Sequence, residues 1–130
     1  MTDGSSGLVT KLSPRSAADT LSRLLAVAAA RGLKVFGVID HSGEAKAIGL
    51  ELRDTKVVIF GSPAAGTPVM LAAPTAALDL PLKVLVWDDE GQTKVSYTAP
   101  ATLAARYGLS EDLASRLAGI DALTDAAINR

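Results

Sequence analysis

The chain has 130 residues, 48% of them hydrophobic but only 4% aromatic, and a formal net charge of −1. That length suits one domain with a single sizeable core built of Leu, Val, Ile and Ala. The near-neutral charge argues against broad nucleic-acid binding and against attraction to anionic membranes, and the lack of cysteine excludes disulfides, thiolate metal sites and cysteine nucleophiles.

A single histidine, His41, excludes a multi-histidine metal site within one chain, so no metal site is predicted. Residues 1–7 are small and polar with no apolar run behind them; they read as a disordered lead-in rather than a signal peptide. Residues 8–130 form the single domain. No stretch reaches the roughly 18 apolar residues of a membrane span, and a cytoplasmic location is expected.

Leu8–Leu12 is short enough for an edge strand. Ser13-Pro14 then opens a helix, Ser13 as cap and Pro14 at the first helical position. Leu21, Leu24, Leu25 and Ala28 fall at i, i+3, i+4 and i+7, one buried stripe, and Arg31-Gly32 closes the helix. Leu33–Ile39 is apolar on both faces, which predicts a central strand. Ser42–Gly49 supplies one or two helical turns capped by Ser42, and Lys56–Phe60 is the next strand. Thr67-Pro68 predicts a helix start with a short helix over 69–73, ended by Pro74.

Leu78–Pro81 turns into the strand Leu82–Trp87. Asp88–Gly91 is a hairpin signal, and the returning strand Thr93–Tyr97 carries Val95 and Tyr97 on one face, Lys94 and Ser96 on the other. Pro100–Tyr107 is helical and Gly108 interrupts it. Ser110 caps a last helix in which Leu113, Leu117 and Ile120 share a face. The tight hairpin and long helices predict an α+β two-layer sandwich, helices on one face of a mainly antiparallel sheet; a doubly wound parallel sheet is the alternative.

Five motifs resemble domain-of-unknown-function family 302: Val35–Ser42 (VFGVIDHS), Gly49–Arg53 (GLELR), Ile59–Met70 (IFGSPAAGTPVM), Leu78–Val86 (LDLPLKVLV) and Val95–Tyr97 (VSY). The similarity runs in order over about residues 8–109. Ser62 stands where the family usually has Asn, and Arg106-Tyr107-Gly108-Leu109 stands where it has Arg-His-Gly-Leu. The resemblance implies a TATA-binding-protein-like β-α-β(4)-α arrangement with a five-stranded sheet, commonly a homodimer, and no assigned activity.

Asp40-His41 at a strand end is the first candidate site. A carboxylate beside an imidazole could serve as an acid/base pair, although neighbours in a strand point to opposite faces; the plainer reading has Asp40 capping the next turn. Gly61–Thr67 echoes a phosphate loop, but Thr67 occupies the lysine position, so no triphosphate site is predicted. A helix N-terminus behind glycines could still attract an anion, while a capped strand-to-helix turn is the structural alternative. Asp79, between Leu78 and Leu80, should be partly buried and meet a cation such as Arg53 or His41.

Glu44, Arg53, Tyr97 and Arg106 are pocket-rim candidates, and Met70 and Trp87 are core or dimer-interface candidates. The leading expectation is a homodimeric domain holding a small or anionic ligand, identity and cofactor open, in one pocket formed by His41, Gly61, Ser62, Gly66, Thr67 and Arg53. The alternatives are an enzyme using His41 as acid/base oriented by Asp40 or Asp79, and a pure dimerisation module. Neither nucleic acid nor membrane is expected as a partner.

Overall fold

In the computed structural model, which describes residues 2–3 and 6–129, every pairing of strands is antiparallel. The chain opens with the two-residue β1 (Thr2–Asp3), then β2 (Leu8–Ser13), α1 (Ala17–Ala30), β3 (Lys34–Asp40) and α2 (His41–Ala47). There follow β4 (Thr55–Gly61), α3 (Pro63–Ala72), a 3-10 turn (Pro74–Asp79), β5 (Leu82–Asp89) and β6 (Gln92–Thr98). The helices α4 (Pro100–Tyr107), α5 (Glu111–Ser115) and α6 (Gly119–Ile128) complete it. The long strands form a five-stranded sheet in the order β2-β6-β5-β4-β3, and β1 adds to the free side of β2. Of the lead-in expected to be disordered, residues 1, 4 and 5 lie outside the described residues.

Period-two alternation decides what each strand buries. Val9, Val58, Phe60, Val84, Val86, Val95 and Tyr97 share the face that meets α1 and α6, and with Leu24, Ala28, Ile120 and Leu123 they form the main core. The alternate set, Leu12, Val57, Ile59, Leu85 and Trp87, contributes nothing to it. A second cluster of Val69, Ala76, Leu103 and Leu117 joins α3, the 3-10 turn, α4 and the α5–α6 junction beyond one end of the sheet.

Local chemistry explains the element ends. Helix α1 begins later than expected: Ser16, not Ser13, is its cap, accepting from the Asp19 N–H at 3.0 Å. Ser13 belongs to β2 and shares a buried 2.7 Å hydrogen bond with Thr20. At the other end Gly32 lies at φ +70, and the N–H groups of Gly32 and Leu33 return to the carbonyls of Ala29 and Ala28, the Schellman pattern. Glu90 (φ +51) and Gly91 (φ +92) make the two-residue loop of the β5–β6 hairpin, matching the left-handed turn that right-twisted strands require. The last helix is divided at 116–118 into α5 and α6, with Gly119 opening α6 and Leu117 turned into the second cluster.

Two expectations need correction. Strand β3 is not central but the sheet edge: Phe36, Val38 and Ile39 are 49%, 42% and 41% exposed. Its apolar character on both faces therefore does not report burial. A bulge between Val35 and Gly37 interrupts its register with β4, a common feature of edge strands. The second correction concerns α3, which starts at Pro63 rather than Thr67; Gly66, Thr67 and Pro68 lie within the helix, not in a turn before it.

Candidate functional site

The residues expected in one pocket divide between the two ends of the sheet. Lys34 pairs with Gly61, and Asp40 with Lys56. His41 and the Gly61–Thr67 segment are therefore separated by the length of β3, about 20 Å at ~3.3 Å per residue. The single-pocket expectation is overturned, and the reason lies in the pairing itself: antiparallel neighbours place their C-terminal ends at opposite ends of a sheet.

At the Gly61 end lies an apolar cavity of about 470 Å³. It is lined by Phe60 and Leu82 from the sheet, Leu33 and Phe36 from the start of β3, Ala65, Gly66 and Met70 from α3, and Leu117 and Ile120 from the α5–α6 junction. Ser62, Gly66 and Thr67 from the expected set line it; His41 and Arg53 do not. The cavity exists because α3 leaves the sheet at Pro63 and the chain between α5 and α6 turns away at Gly119, so neither helix closes over the end of β4 and the start of β5. Its only charged lining residues are Arg31 and Arg116, both exposed. Arg116 has an i,i+4 contact with Asp112 at 3.7 Å, whereas Arg31 forms no ion pair among the described residues. Lys34 sits over the Phe36 ring at 5.0 Å and does not itself line the cavity. Ser62 is the N-cap of α3 by position, but its hydroxyl makes no capping bond.

The other end is a shallow open hollow lined by Asp40, Ser42, Lys46, Glu51, Arg53 and Lys56 among others. Three carboxylates (Asp40, Glu51, Asp54) and three cations (Lys46, Arg53, Lys56) line it, so it favours neither sign of ligand. Asp40 caps α2, accepting from the Gly43 N–H at 2.8 Å and the Ser42 hydroxyl at 2.7 Å. The Ser42 hydroxyl, followed by the Gly43 N–H, holds that carboxyl below its ordinary range. Ser42, expected as the cap, instead accepts from Thr55 N at 3.2 Å and ties α2 to β4. His41 is exposed at the first position of α2, and no carboxylate among the described residues hydrogen-bonds it. Arg53 approaches Asp89 at 3.5 Å.

Asp79 meets neither Arg53 nor His41. Its carboxylate accepts from the Tyr107 hydroxyl and, at 2.8 Å, from Arg106. Tyr107 first and Arg106 second hold the Asp79 carboxyl below its usual range, and the Tyr107 hydroxyl is raised by the same contact. This trio links the 3-10 turn to α4, just where the family motif has histidine and this chain has tyrosine. Tyr97 is core, its hydroxyl donating to Asp121. Trp87 lies on the uncovered face, its Nε1 donating to Ser96 at 3.0 Å, and Met70 lines the cavity. Glu44 is exposed in α2. Arg31, Leu33 and Phe36 lie within six residues at the α1–β3 junction, and the sequence marks them only as a helix end and an apolar strand; Arg116, at the α5–α6 junction, carries no motif that would join it to them.

Fold and cavity together define a class: an α+β domain with helices on one face of an antiparallel sheet and an apolar chamber at the sheet's end. The family described as "Domain of unknown function DUF302" matches residues 9–127, and the chain belongs to that family. A solved structure of an uncharacterized conserved DUF302 protein from Bacillus stearothermophilus superposes with a TM-score of 0.79 at 18% identity, covering 95% of this chain and 96% of that one, and so shares the fold.

Among curated proteins, the chain is 44% identical over 112 residues to proteins named Fluoride-specific ion channel FluC 1 of Brucella suis biovar 1 (strain 1330) and of Brucella abortus biovar 1 (strain 9-941). The match takes in 84% of this chain but only 44% and 42% of theirs, so the chain spans less than half the length of those relatives. No helix among the described residues is long and apolar enough to cross a membrane.

Proposed function

We propose that this domain binds a small molecule in the cavity between α1, α3 and the α5–α6 junction. The observation that carries this reading is the chamber itself: about 470 Å³, within the roughly 300–1,000 Å³ of small-molecule sites, with apolar walls and few polar groups. Voids in a well-packed interior are usually smaller than a water molecule or few in number. Titrating the isotopically labelled protein with an uncharged apolar probe such as cyclohexanol should shift the amide signals of Leu33, Gly61, Gly66 and Leu117. Shifts confined to residues 40–56, or none, would refute it. The His41 acid/base reading lacks the orienting carboxylate it requires and is not advanced.

The uncovered sheet face favours a second property, homodimerisation. Leu12, Val57, Ile59, Leu85 and Trp87 stand on the side that meets no core helix. Five strands about 4.8 Å apart and some 20 Å long give about 500 Å² in projection, of the order of the ~800 Å² per partner in a stable complex. Sedimentation equilibrium should report a dimer that Leu85→Glu dissociates. A monomeric parent protein would end this reading.

The name of the curated relatives supports a setting as well. In the Brucella proteins a segment similar to this chain is part of a chain named as a fluoride-specific ion channel, which supports a role for this domain beside fluoride transport. Deleting its gene should then lower the fluoride concentration that stops growth; an unchanged threshold would dismiss the link.

A further inference from the structure

Resting on the cavity reading above, we infer that the ligand is an amphipathic carboxylate: an apolar body held against Phe60, Leu82 and Leu117, with its anionic head at Arg31 and Arg116. The cavity's walls are apolar, and its only charged lining residues are these two guanidiniums, with no Asp or Glu among the lining side chains. The acidic group nearest in sequence to either arginine's contacts is Asp112, which reaches Arg116 only at 3.7 Å and is itself largely exposed.

Neither arginine is required by the fold: both are exposed, and Arg31 has no ion-pair partner among the described residues. A neutral apolar ligand would leave Arg31 unpaired and Arg116 with only its 3.7 Å contact to Asp112, and a small hydrophilic anion would leave the apolar walls wet. A carboxylate with a hydrocarbon body satisfies both, and guanidinium matches carboxylate geometry with paired N–H donors.

The test compares decanoate with decan-1-ol, equal in chain length and different in head group, by calorimetric titration of the full chain. Decanoate should bind the unaltered protein about tenfold more tightly, the effect of two partly exposed charge-assisted contacts. Arg31→Gln with Arg116→Gln should bring decanoate down to the level of decan-1-ol and leave the alcohol unchanged. Arg31→Lys with Arg116→Lys should retain most of the preference. Gly66→Leu fills the chamber from α3, where an added Cβ meets only Met70 at 3.8 Å, and should weaken both probes alike.

Equal affinities for the two probes, or a double glutamine variant that still prefers decanoate, would overturn the head-group assignment while leaving the cavity reading intact. Failure of both probes to bind, or binding that a folded Gly66→Leu protein retains, would overturn the cavity reading too. Far-ultraviolet dichroism establishes folding of each variant; if Gly66→Leu does not fold, Ala77→Trp, at an exposed lining position, fills the chamber from the 3-10 turn.

Discussion

Truncating two buried leucines asks whether the chamber is truly unfilled. Leu24 on α1 is 1% exposed and lies in the main core; Leu117 at the α5–α6 junction is 4% exposed and belongs to the second cluster, but one flank faces the cavity. Leu→Ala in a core costs ~2–5 kcal/mol, rising with the void left behind and with the packing contacts forfeited. Leu24→Ala removes contacts on every side and should cost about 4 kcal/mol. Leu117 borders space that is already open, so its truncation widens the cavity rather than creating a closed void and should cost about 2–3 kcal/mol.

Urea unfolding at one fixed protein concentration reads the difference. With a slope of ~2 kcal/mol/M, the Leu24→Ala midpoint should fall about 0.5–1 M below that of Leu117→Ala. Leu71→Ala, at a position 80% exposed, should stay within about 0.5 kcal/mol of the parent. If Leu117→Ala costs as much as Leu24→Ala, the space beside Leu117 is packed and the chamber is not a ligand site.

Acid stability should depend on the Asp79 cluster. Its native carboxyl titrates below the ordinary 3.8, held first by the Tyr107 hydroxyl and then by Arg106. The stabilisation it supplies is complete above the unfolded value and disappears as pH falls through the lower native one; Tyr107→Phe should therefore shrink the stability lost on going below about pH 4, and an unchanged acid limb would refute the linkage. Gly91→Ala, at φ +92 in the hairpin loop, should cost about 1 kcal/mol in the same urea assay through left-handed strain, and no loss would show that the turn relaxes. His41→Ala should leave cyclohexanol binding unchanged, since His41 lies outside the cavity lining; weakened binding would return the imidazole to the site.

Much of the fold is legible where a local rule and burial agree. The stripe of Leu24 and Ala28, the Gly32 helix end and the Glu90-Gly91 hairpin each follow from short-range chemistry that tertiary packing reinforces. The position of β3 is not legible, because Val35–Ile39 shows the apolar run of a buried strand while standing at an edge. Starting α3 at Thr67 gave weight to one threonine-proline pair, although Ser62-Pro63 offers the same signal five residues earlier. The joint pocket of His41 and Gly61 conflicts with the antiparallel sheet that the hairpin already predicts: two strand ends that follow one another in sequence converge only when the strands run parallel. The two arginines of the chamber carry no signal along the chain, since 85 residues separate them and only the folded arrangement unites them.

Strand β4 shows why both candidate surfaces belong to one small domain. Phe60 faces the chamber and Ile59, one residue earlier, faces the uncovered side of the sheet, where Lys83 is its partner across β5. A second copy packed on that side would cover Val57, Ile59 and Leu85 but would leave the chamber as it is, on the far side of the sheet. Unfilled, the chamber leaves the half-buried Leu33, Met70 and Leu82 short of dispersion partners, a loss that an apolar ligand repairs, and its binding adds stability in proportion to the logarithm of its concentration over its dissociation constant. Packing alone explains an apolar wall; it gives no reason for two exposed guanidiniums at the same chamber. An anionic head group would answer both: Arg31 has no ion-pair partner among the described residues, and Arg116 has only its 3.7 Å contact with Asp112.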